Sequence, residues 1–367
     1  MPVYADPVGG VTVRAPELYT WTAALVERLG TPADIAADVA TVLVSSDRRG
    51  IASHGTARLS RYAAQIERGK MDPSARPEQI RARPAMVLFD AHNGWGHHAG
   101  RVAVDATIAG ARAAGSFTAV VRDSNHFGIA GWYALRIADA GLVGISLTNS
   151  SPLVAPTRGL DPMLGSNPIA VAAPAGQYDH FCLDMATSTI PRGRIEVAAR
   201  RGEQLQPSWA IDRDGLPALT PQDAFEGALL PLGGCEESGG YKGYGLTLLV
   251  DILTGVLSGS TPGPLIAPLF SAEHGALDLG QTFMAIDPEA LDEPGAFEKR
   301  MEHEIELLVG ARTAPSAPGR VLIPGEPEAA AERRSDERGI SLDQGHLESL
   351  AELAERYELP LPETTPL

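Results

Sequence analysis

The segment SHGTARLSRY, residues 53–62, contains a histidine, an arginine and a tyrosine spaced four residues apart. Side chains of these types can bind an anion and exchange a proton with it. If this segment is one α-helix, His54, Arg58 and Tyr62 lie along a single face, because side chains four positions apart are helix neighbours. That face would present an imidazole that titrates near neutral pH, a forked cation and a phenol. The spacing is typical either of a solvent-exposed helix face or of a site for acid–base chemistry on an anion.

A second candidate, His126, lies in the segment RDSNHFGIAGWY, residues 122–133. A strand-like apolar run ends near Val121 and a helical pattern follows, which places His126 in the polar turn between them. Such turns commonly hold functional groups in α/β proteins, and Gly128 and Gly131 leave room for a ligand. A buried structural histidine is the alternative interpretation.

Two further segments carry groups that suit a nucleotide or another anion. Residues 183–189, LDMATST, run from a strand into hydroxyl side chains, which together with backbone N–H groups predict a phosphate cradle. Residues 241–245, YKGYG, place Lys242 among glycines before an apolar helix. The alternatives are an ordinary helix cap and a flexible loop with a solvated lysine. Residues 324–326, PGE, indicate only a turn.

The glycine-rich stretch at residues 94–100, GWGHHAG, has nearly the spacing of a dinucleotide-binding fingerprint. Trp95 and two histidines, however, put bulk where the backbone must approach a pyrophosphate. The next strand also ends at Asp123, later than the usual acidic position. We therefore expect no Rossmann site. No metal is expected either, because the chain lacks an H-E-x-x-H motif and its two cysteines are far apart in sequence.

The hydrophobic pattern predicts helices at both chain ends around a central α/β body. One N-terminal helix ends at Gly30, and a second is predicted to begin with Thr31 as its N-cap. Beyond them the pattern predicts strands at 85–90, 117–121, 142–148, 168–174 and 181–186, helices at 99–114, 132–140, 239–257, 294–309 and 341–357, and a loop at 258–268. We expect a discontinuous helical domain (residues 1–78 and 290–367) and a central cofactor- and substrate-binding domain (residues 79–289).

Composition restricts the class of partner. The chain has 367 residues, 30 basic and 46 acidic, for a net charge of −16. Without a basic surface it is not expected to bind nucleic acid, and a carboxylate pocket would need local cations. No apolar run is long enough to span a bilayer, and the N-terminus does not match a signal peptide. A cytoplasmic protein without a disulfide framework is expected.

Seven short motifs in order carry a resemblance to a known family: SHG, NHFG, TNSSPLVAP, GSNP, DMATS, GGYKGYGL and IPGE. Together they resemble the malate/L-lactate dehydrogenase family of the non-Rossmann type. Its members include malate, sulfolactate, ureidoglycolate and 2,3-diketo-L-gulonate oxidoreductases and cyclic-imine 2-carboxylate reductases. The resemblance implies a mixed, largely antiparallel α/β sheet fold with covering helices, NAD or NADP as cofactor, and a homodimer.

The resemblance also implies roles for individual residues. His54 and His126 correspond to proton-transfer residues of different members, and Arg58 is the implied carboxylate clamp. The implied substrate-binding residues are Arg58, Tyr62, Ser53 and Asn149. The implied cofactor contacts are His126, Ser150, Asp184, Met185, Ala186, Thr187, Ser188, Tyr241, Lys242, Pro324, Gly325 and Glu326.

Two departures from the family pattern affect these assignments. Residues 190–194 read IPRGR where many relatives carry a run like VARGK, so Arg194 keeps a cation but Pro191 changes the turn. Ser150 stands where some members place a lysine near the nicotinamide, so a role carried by that lysine does not transfer to this chain.

The predicted reaction is hydride transfer between nicotinamide C4 and C2 of a small 2-oxo or 2-hydroxy acid. A positioned imidazole can exchange the proton of the C2 oxygen near neutral pH. The residues alone leave open whether His126 shares the proton transfer with His54 or polarises the carbonyl. Reduction of a cyclic imine carboxylate, ureidoglycolate oxidation, nucleotide binding without catalysis and metal-dependent hydrolysis are the alternatives.

Overall fold

Seven strands form the central sheet of the computed structural model, which describes residues 10–267 and 275–366. In all, the described strands are β1 (Val11–Val13), β2 (Glu78–Arg83), β3 (Met86–Asp90), β4 (Ser116–Ser124), β5 (Val143–Thr148), β6 (Ile169–Ala173), β7 (Phe181–Met185), β8 (Ala210–Ile211), β9 (Ala228–Leu229), β10 (Leu279–Ile286), β11 (Ile340–Leu342) and β12 (Thr364–Pro366).

Helices cover this sheet, and further helices come before and after its strands in the chain. They are α1 (Ala15–Arg28), α2 (Ala33–Arg48), α3 (Leu59–Glu67), α4 (Gly96–Ala114), α5 (Ala130–Asp139), α6 (Arg192–Arg201), α7 (Pro221–Glu226), α8 (Gly240–Asp251), α9 (Ala296–Val309), α10 (Glu326–Arg338) and α11 (Gln344–Arg356). The chain continues from α8 into a π-helical turn at Ile252–Val256.

The central sheet has the strand order β2-β3-β4-β10-β5-β6-β7. Five of its six neighbouring pairs are antiparallel, and only β3 and β4 run parallel, joined by α4. A parallel pair needs such a crossover connection. The predicted mixed, largely antiparallel sheet with covering helices is therefore confirmed.

Both ends of the chain contribute to one hydrophobic core. The buried side chains of α1, α2 and α3 pack with those of β11 and α11, and Trp95 completes the cluster. Strands β11, β1 and β12 also pair into a small antiparallel sheet that the sequence pattern did not predict. In contrast, α9 places Ile305 in a separate cluster with Ala175 and Ile323. The predicted domain boundaries stay a prediction.

A small lobe between residues 190 and 230 was also missed from the sequence. Its core combines Ile195 of α6 with Ala210 of β8, Ala224 of α7 and Leu229 of β9. Gly193 near the start of α6 approaches the segment that carries His54, since a Cβ built on it would lie 3.9 Å from the Ser53 Cβ. The lobe therefore borders the candidate site.

Two local predictions were wrong. Helix α2 begins at Ala33 without a side-chain cap, because the Thr31 hydroxyl instead accepts a hydrogen bond of 2.9 Å from the Trp95 indole. The segment 53–62 is not one α-helix: single 3₁₀ turns at Ala52–His54 and Thr56–Arg58 precede α3. The predicted loop at 258–268 holds only one 3₁₀ turn up to residue 267, and residue 268 lies outside the described residues.

Candidate active site

The segment that carries His54 and Arg58 is held by a buried carboxylate at the end of α2. Asp47 Oδ2 accepts hydrogen bonds from the Thr56 backbone N–H at 2.9 Å and from its hydroxyl at 2.7 Å. The same hydroxyl lies 2.9 Å from Nε2 of His346 in α11. Gly55 is required here, since a Cβ would lie 1.9 Å from Asp47 Oδ1. Long-range polar contacts, rather than helix periodicity, therefore set the segment's path.

The turn that carries His126 is held by hydrogen bonds from Gln281 of strand β10. The Gln281 side-chain amide, on the neighbouring strand β10, donates to the Ser124 hydroxyl at 2.8 Å and lies 3.4 Å from the Asn125 carbonyl oxygen. The Asn125 amide donates in turn to the carbonyl oxygen of Gly94 at 3.0 Å. A Cβ on Gly96 would lie 2.1 Å from the Asn125 carbonyl oxygen, so this glycine serves close backbone packing rather than a pyrophosphate.

These two segments bring the predicted catalytic side chains together. The rings of His54 and His126 stack with centroids 5.5 Å apart and an interplanar angle of 28°. The Tyr62 hydroxyl lies 2.7 Å from Nδ1 of His126. Tyr62 is buried, whereas His54, Arg58 and His126 remain partly accessible. The arrangement, called the cleft below, places two partly accessible stacked imidazoles and the partly accessible Arg58 beside the buried Tyr62.

Arg58 presents an available guanidinium fork in this cleft. Its Nε donates to the Ser53 carbonyl oxygen at 2.5 Å, while its two Nη groups make no hydrogen bond with the described residues. Burial lowers the pKa of its guanidinium from the usual value without discharging it; Arg61 acts in the same direction, and Tyr62 and Glu196 oppose the shift. A cation anchored at one nitrogen and open at the other two suits a carboxylate, which accepts two parallel hydrogen bonds.

The same environment keeps both imidazoles neutral. Burial, followed by the positive charges of Arg58 and Arg61, lowers the pKa of His54 to about 3. Burial is also the main cause that lowers the pKa of His126 well below 6.5, again with Arg58 next. Burial raises the pKa of Tyr62 above its usual range. Without a bound anion, the site therefore holds cationic arginines beside neutral rings.

The segment predicted to cradle a phosphate is largely occupied by the protein itself. The Thr187 hydroxyl and N–H both donate to the Ser166 carbonyl oxygen, and the Ser188 hydroxyl donates to that of Ile190. No helix begins until α6 at Arg192, so these hydroxyls do not lie at a helix N-terminus, and the predicted phosphate cradle stays a prediction. Met185 and Ala186 lie in the same partly accessible segment.

Asp184, just before that segment, does keep a distinctive environment. Its Oδ2 accepts a hydrogen bond of 2.8 Å from the N–H of Gly131 at the start of α5. Surrounding protein atoms raise the pKa of Asp184 to about 6, although part of its surface still reaches solvent. The carboxylate therefore links β7 to the helix that follows the His126 turn.

Asn149 and Ser150, which follow β5, differ in their hydrogen bonding. The Asn149 amide donates to the Thr261 carbonyl oxygen at 3.1 Å, and its oxygen accepts from the Gly280 N–H at 2.9 Å. Asn149 is fully buried and braces neighbouring loops. The hydroxyl of Ser150, in contrast, is buried without a hydrogen-bond partner among the described residues. A polar group of a ligand would satisfy it, which fits a nicotinamide nucleotide.

The remaining predicted cofactor residues lie at two helix starts. Tyr241 and Lys242 are exposed in the first turn of α8, with the Lys242 ammonium 5.8 Å from the Tyr241 ring centroid. The Pro324 carbonyl oxygen accepts from the Cys182 N–H at 2.9 Å, and Gly325 and Glu326 begin α10. Gly325 lines a cavity of about 1330 Å³ whose lining includes neither His54 nor His126.

Sequence reasoning missed His97, which is fully buried beside Tyr62. Its Nε2 lies 3.5 Å from the Tyr62 hydroxyl, and their rings meet edge to face at 5.3 Å. The only signal was its type, since the glycine-rich stretch around it was considered only as a dinucleotide fingerprint. His346, which supports Thr56, carried no local signal because 290 residues separate them.

Two further observations concern other site classes. Within residues 10–267 and 275–366, no three or more His, Cys, Asp or Glu side chains are grouped so that they could hold a metal ion. None of the helices in these ranges is both long and apolar enough to cross a membrane.

Comparison with known proteins decides the family. The family model described as malate/L-lactate dehydrogenase matches residues 13–351. The chain belongs to the malate/L-lactate dehydrogenase family. It is 41% identical to a malate dehydrogenase of Pyrococcus abyssi over 94% of this chain and 95% of that protein. It is 33% identical to a (2R)-3-sulfolactate dehydrogenase (NADP(+)) of Chromohalobacter salexigens, covering 89% and 92%.

Solved structures agree with this membership. A malate dehydrogenase from Pyrococcus horikoshii OT3 superposes with a TM-score of 0.89 at 37% identity, covering 97% of this chain and 98% of that chain. A delta1-piperideine-2-carboxylate reductase from Pseudomonas syringae pvar. tomato gives a TM-score of 0.83 at 32% identity, covering 94% and 99%. The family thus includes dehydrogenases and an imine reductase on one fold.

Proposed function

We propose that this malate/L-lactate dehydrogenase family member is an NAD(P)-dependent 2-hydroxy acid dehydrogenase that also reduces the 2-oxo acid. One observation carries the proposal: the open Nη groups of Arg58 lie in the cleft with the stacked rings of His54 and His126. An anion clamp next to two proton-exchanging groups is what an α-oxo carboxylate requires.

The protein's own residues supply binding and proton handling. When bound, the nicotinamide supplies or receives the hydride at C2. Arg58 holds the substrate carboxylate through two Nη hydrogen bonds, while Ser53 fixes its Nε from behind. His54 or His126 gives the C2 oxygen its proton during reduction and takes it back during oxidation. The buried Tyr62 ring excludes water from one side of the reacting carbon.

For the cofactor we retain the residues that the family resemblance implies. The Ser150 hydroxyl and the Asp184 carboxylate are the strongest of these, because the first is buried without a partner among the described residues and the second is a solvent-reaching carboxylate held by the Gly131 N–H. Thr187 and Ser188 would contribute main-chain shape rather than free hydroxyls. Lys242 would contribute a mobile cation, and the turn at 324–326 a close backbone approach. NAD and NADP both stay open, and relatives' names include each.

We also propose a homodimer that pairs through one face of α8 and its π-helical continuation. This face exposes several large apolar side chains: Tyr241, Leu248, Leu249, Ile252, Val256 and Leu257. Contiguous exposed apolar surface of this kind is typical of interaction sites. Sedimentation of Leu249→Glu against the wild type tests it: the variant should be monomeric, and an unchanged assembly state would refute this interface.

A cyclic-imine 2-carboxylate reductase is the second candidate. The structural likeness to a delta1-piperideine-2-carboxylate reductase favours it, and the same Arg58 clamp would bind the imine's carboxylate. Ureidoglycolate oxidation is a related possibility, since a relative carries the name ureidoglycolate dehydrogenase (NAD(+)). In both cases the carboxylate clamp and the nicotinamide stay the same, while the reacting bond is C=N in the imine and C–OH in ureidoglycolate.

A substrate panel tests the proposal. Purified protein is given NADH or NADPH with pyruvate, oxaloacetate, sulfopyruvate or delta1-piperideine-2-carboxylate, and NAD or NADP with malate or ureidoglycolate. Nicotinamide absorbance reports turnover. We expect substrate-dependent turnover with a 2-oxo or 2-hydroxy acid, and its loss in Arg58→Ala but not in Arg158→Ala, which removes an exposed guanidinium paired with Glu236. Cofactor binding without turnover on any substrate would refute the proposal.

A further inference from the structure

The Tyr62 hydroxyl lies between two histidines that belong to different parts of the fold. It is 2.7 Å from Nδ1 of His126 and 3.5 Å from Nε2 of His97. Tyr62 is 3% exposed and His97 is fully buried, so water does not compete for these contacts. The Tyr62 hydroxyl therefore holds the His126 ring at its Nδ1 atom.

A backbone donor and the Tyr62 hydroxyl together decide which nitrogen of His126 carries the proton. The N–H of Gly128 points to the same Nδ1 at 3.2 Å. Because a backbone N–H can only donate, Nδ1 must accept and hold a lone pair. A neutral imidazole has one N–H, so the proton of His126 is on Nε2. The Tyr62 hydroxyl then also donates to Nδ1, and its oxygen can accept from His97 Nε2.

This assignment of protons also explains why Nδ1 of His97 has no hydrogen-bond partner among the described residues. If His97 carries its proton on Nε2 and directs it to Tyr62, its Nδ1 is a bare lone pair. That Nδ1 is buried and has no hydrogen-bond partner among the described residues. An unpartnered N–H at that position would carry the greater cost, since buried donors are almost always paired.

His54 differs from His126 in the partner of its own Nδ1. That nitrogen lies 2.9 Å from the Ser53 hydroxyl, which is exposed and can either donate or accept. His54 can therefore gain a proton on Nδ1 without opposing a fixed donor, whereas His126 cannot. The charged groups that face His126 are Arg58 and Arg61, both of which also oppose a positive ring.

We infer that Tyr62, supported by the buried His97, is a positioning residue that holds His126 as a neutral Nε2–H donor, leaving His54 as the group that exchanges the proton. This inference rests on the proposed function. In reduction the hydride goes to C2, and His54, protonated from solvent once a carboxylate is bound on Arg58, gives that proton to the C2 oxygen and is left neutral. His126 donates a hydrogen bond to that oxygen throughout and changes neither charge nor tautomer.

Three variants test the inference: Tyr62→Phe removes the donor, His97→Phe removes the support, and His97→Gln keeps an N–H that can reach Tyr62. Nitrogen NMR of the histidine rings in the ligand-free protein reads the tautomer without any turnover. In the wild type, His126 should be protonated on Nε2 only. Tyr62→Phe leaves only the 3.2 Å contact from the Gly128 N–H and should give a mixture of tautomers. His97→Phe should give a smaller shift, and His97→Gln the wild-type pattern.

Kinetics provide the second measurement. Losing one such hydrogen bond should lower kcat about 2- to 10-fold with little change in KM for the oxo acid. The pH dependence of kcat should broaden in Tyr62→Phe, because His126 then titrates, and keep the wild-type shape in His97→Gln. A proton on His126 Nδ1 in the wild type, or a Tyr62→Phe variant with unchanged tautomer and kcat, would overturn the inference. A wild type without turnover would refute the proposed function alone, since the NMR result still decides the tautomer.

Discussion

Replacing Arg58 by lysine separates a carboxylate clamp from a general positive charge. The arginine is fixed by its Nε contact with the Ser53 carbonyl oxygen and keeps two Nη groups open. Lysine retains the charge but offers a single ammonium on a flexible stem, so at least one charge-assisted hydrogen bond to the substrate is lost. Such a bond contributes about 1.5–3 kcal/mol. KM for the oxo acid should therefore rise roughly 10- to 150-fold.

The assay compares the best 2-oxo acid of the panel with its neutral amide. Initial rates at saturating NAD(P)H give kcat and KM, and fluorescence titration gives the Kd of the reduced cofactor. The wild type should prefer the acid, and Arg58→Lys should lose most of that preference while its cofactor Kd stays unchanged. Arg158→Lys is the matched control, because that guanidinium is exposed in a surface pair with Glu236.

Two results would refute this reasoning. An unchanged KM for the acid would show that the fork does not hold the carboxylate. An equal loss for the acid and its amide would show that Arg58 shapes the cleft without recognising charge. A parallel increase in cofactor Kd would show that Arg58 contacts the nucleotide rather than the substrate.

The remaining predictions concern protons and stability. His54→Ala and His126→Ala should each lower kcat, by on the order of 10²- to 10⁴-fold for the residue that moves the proton; wild-type rates in both would contradict the mechanism. Thr56→Val should lower the free energy of unfolding in urea by about 1–3 kcal/mol, because it leaves buried polar partners unmatched, whereas Thr56→Ser should cost less. Burial lowers the pKa of His97 to about 3, so its contribution to stability is complete above pH 6.5 and decreases toward pH 3 by up to about 1.4 kcal/mol per pH unit; acid unfolding of His97→Gln should lack this part.

Five of the seven strands of the central sheet were predicted because each is a short apolar run in the sequence, whereas β2 and β10 were not predicted. The runs at 117–121 and 181–186 are short, apolar and bounded by polar or glycine residues, and both form strands within a few residues of the predicted ends. The small sheet formed by β11, β1 and β12 gave no such signal. Each of those strands has three residues, and both pairings of the sheet join opposite ends of the chain.

The candidate site divides in the same way. The types and order of His54, Arg58 and His126 indicated a site, and the structure brings these residues into one cleft. The prediction that His54 and Arg58 lie on one α-helix was wrong. Asp47 accepts hydrogen bonds from the Thr56 N–H and hydroxyl, and the segment forms 3₁₀ turns instead. A contact between segments of this kind overrides local periodicity. His97 was missed for the related reason that its partner is in α3.

The electrostatics of the cleft connect substrate binding to proton transfer. The chain carries a net charge of −16, yet Arg58 and Arg61 make the cleft locally positive, and together with burial they keep His54 neutral. A bound carboxylate on Arg58 cancels much of that positive charge at close range, so it raises the pKa of His54 toward the value at which an imidazole can exchange a proton. His126 would not follow, because the Tyr62 hydroxyl and the N–H of Gly128 both oppose a proton on its Nδ1. In the proposed mechanism, the substrate's own anion would therefore select which of the two stacked rings acts as the acid, and only when it is bound on Arg58.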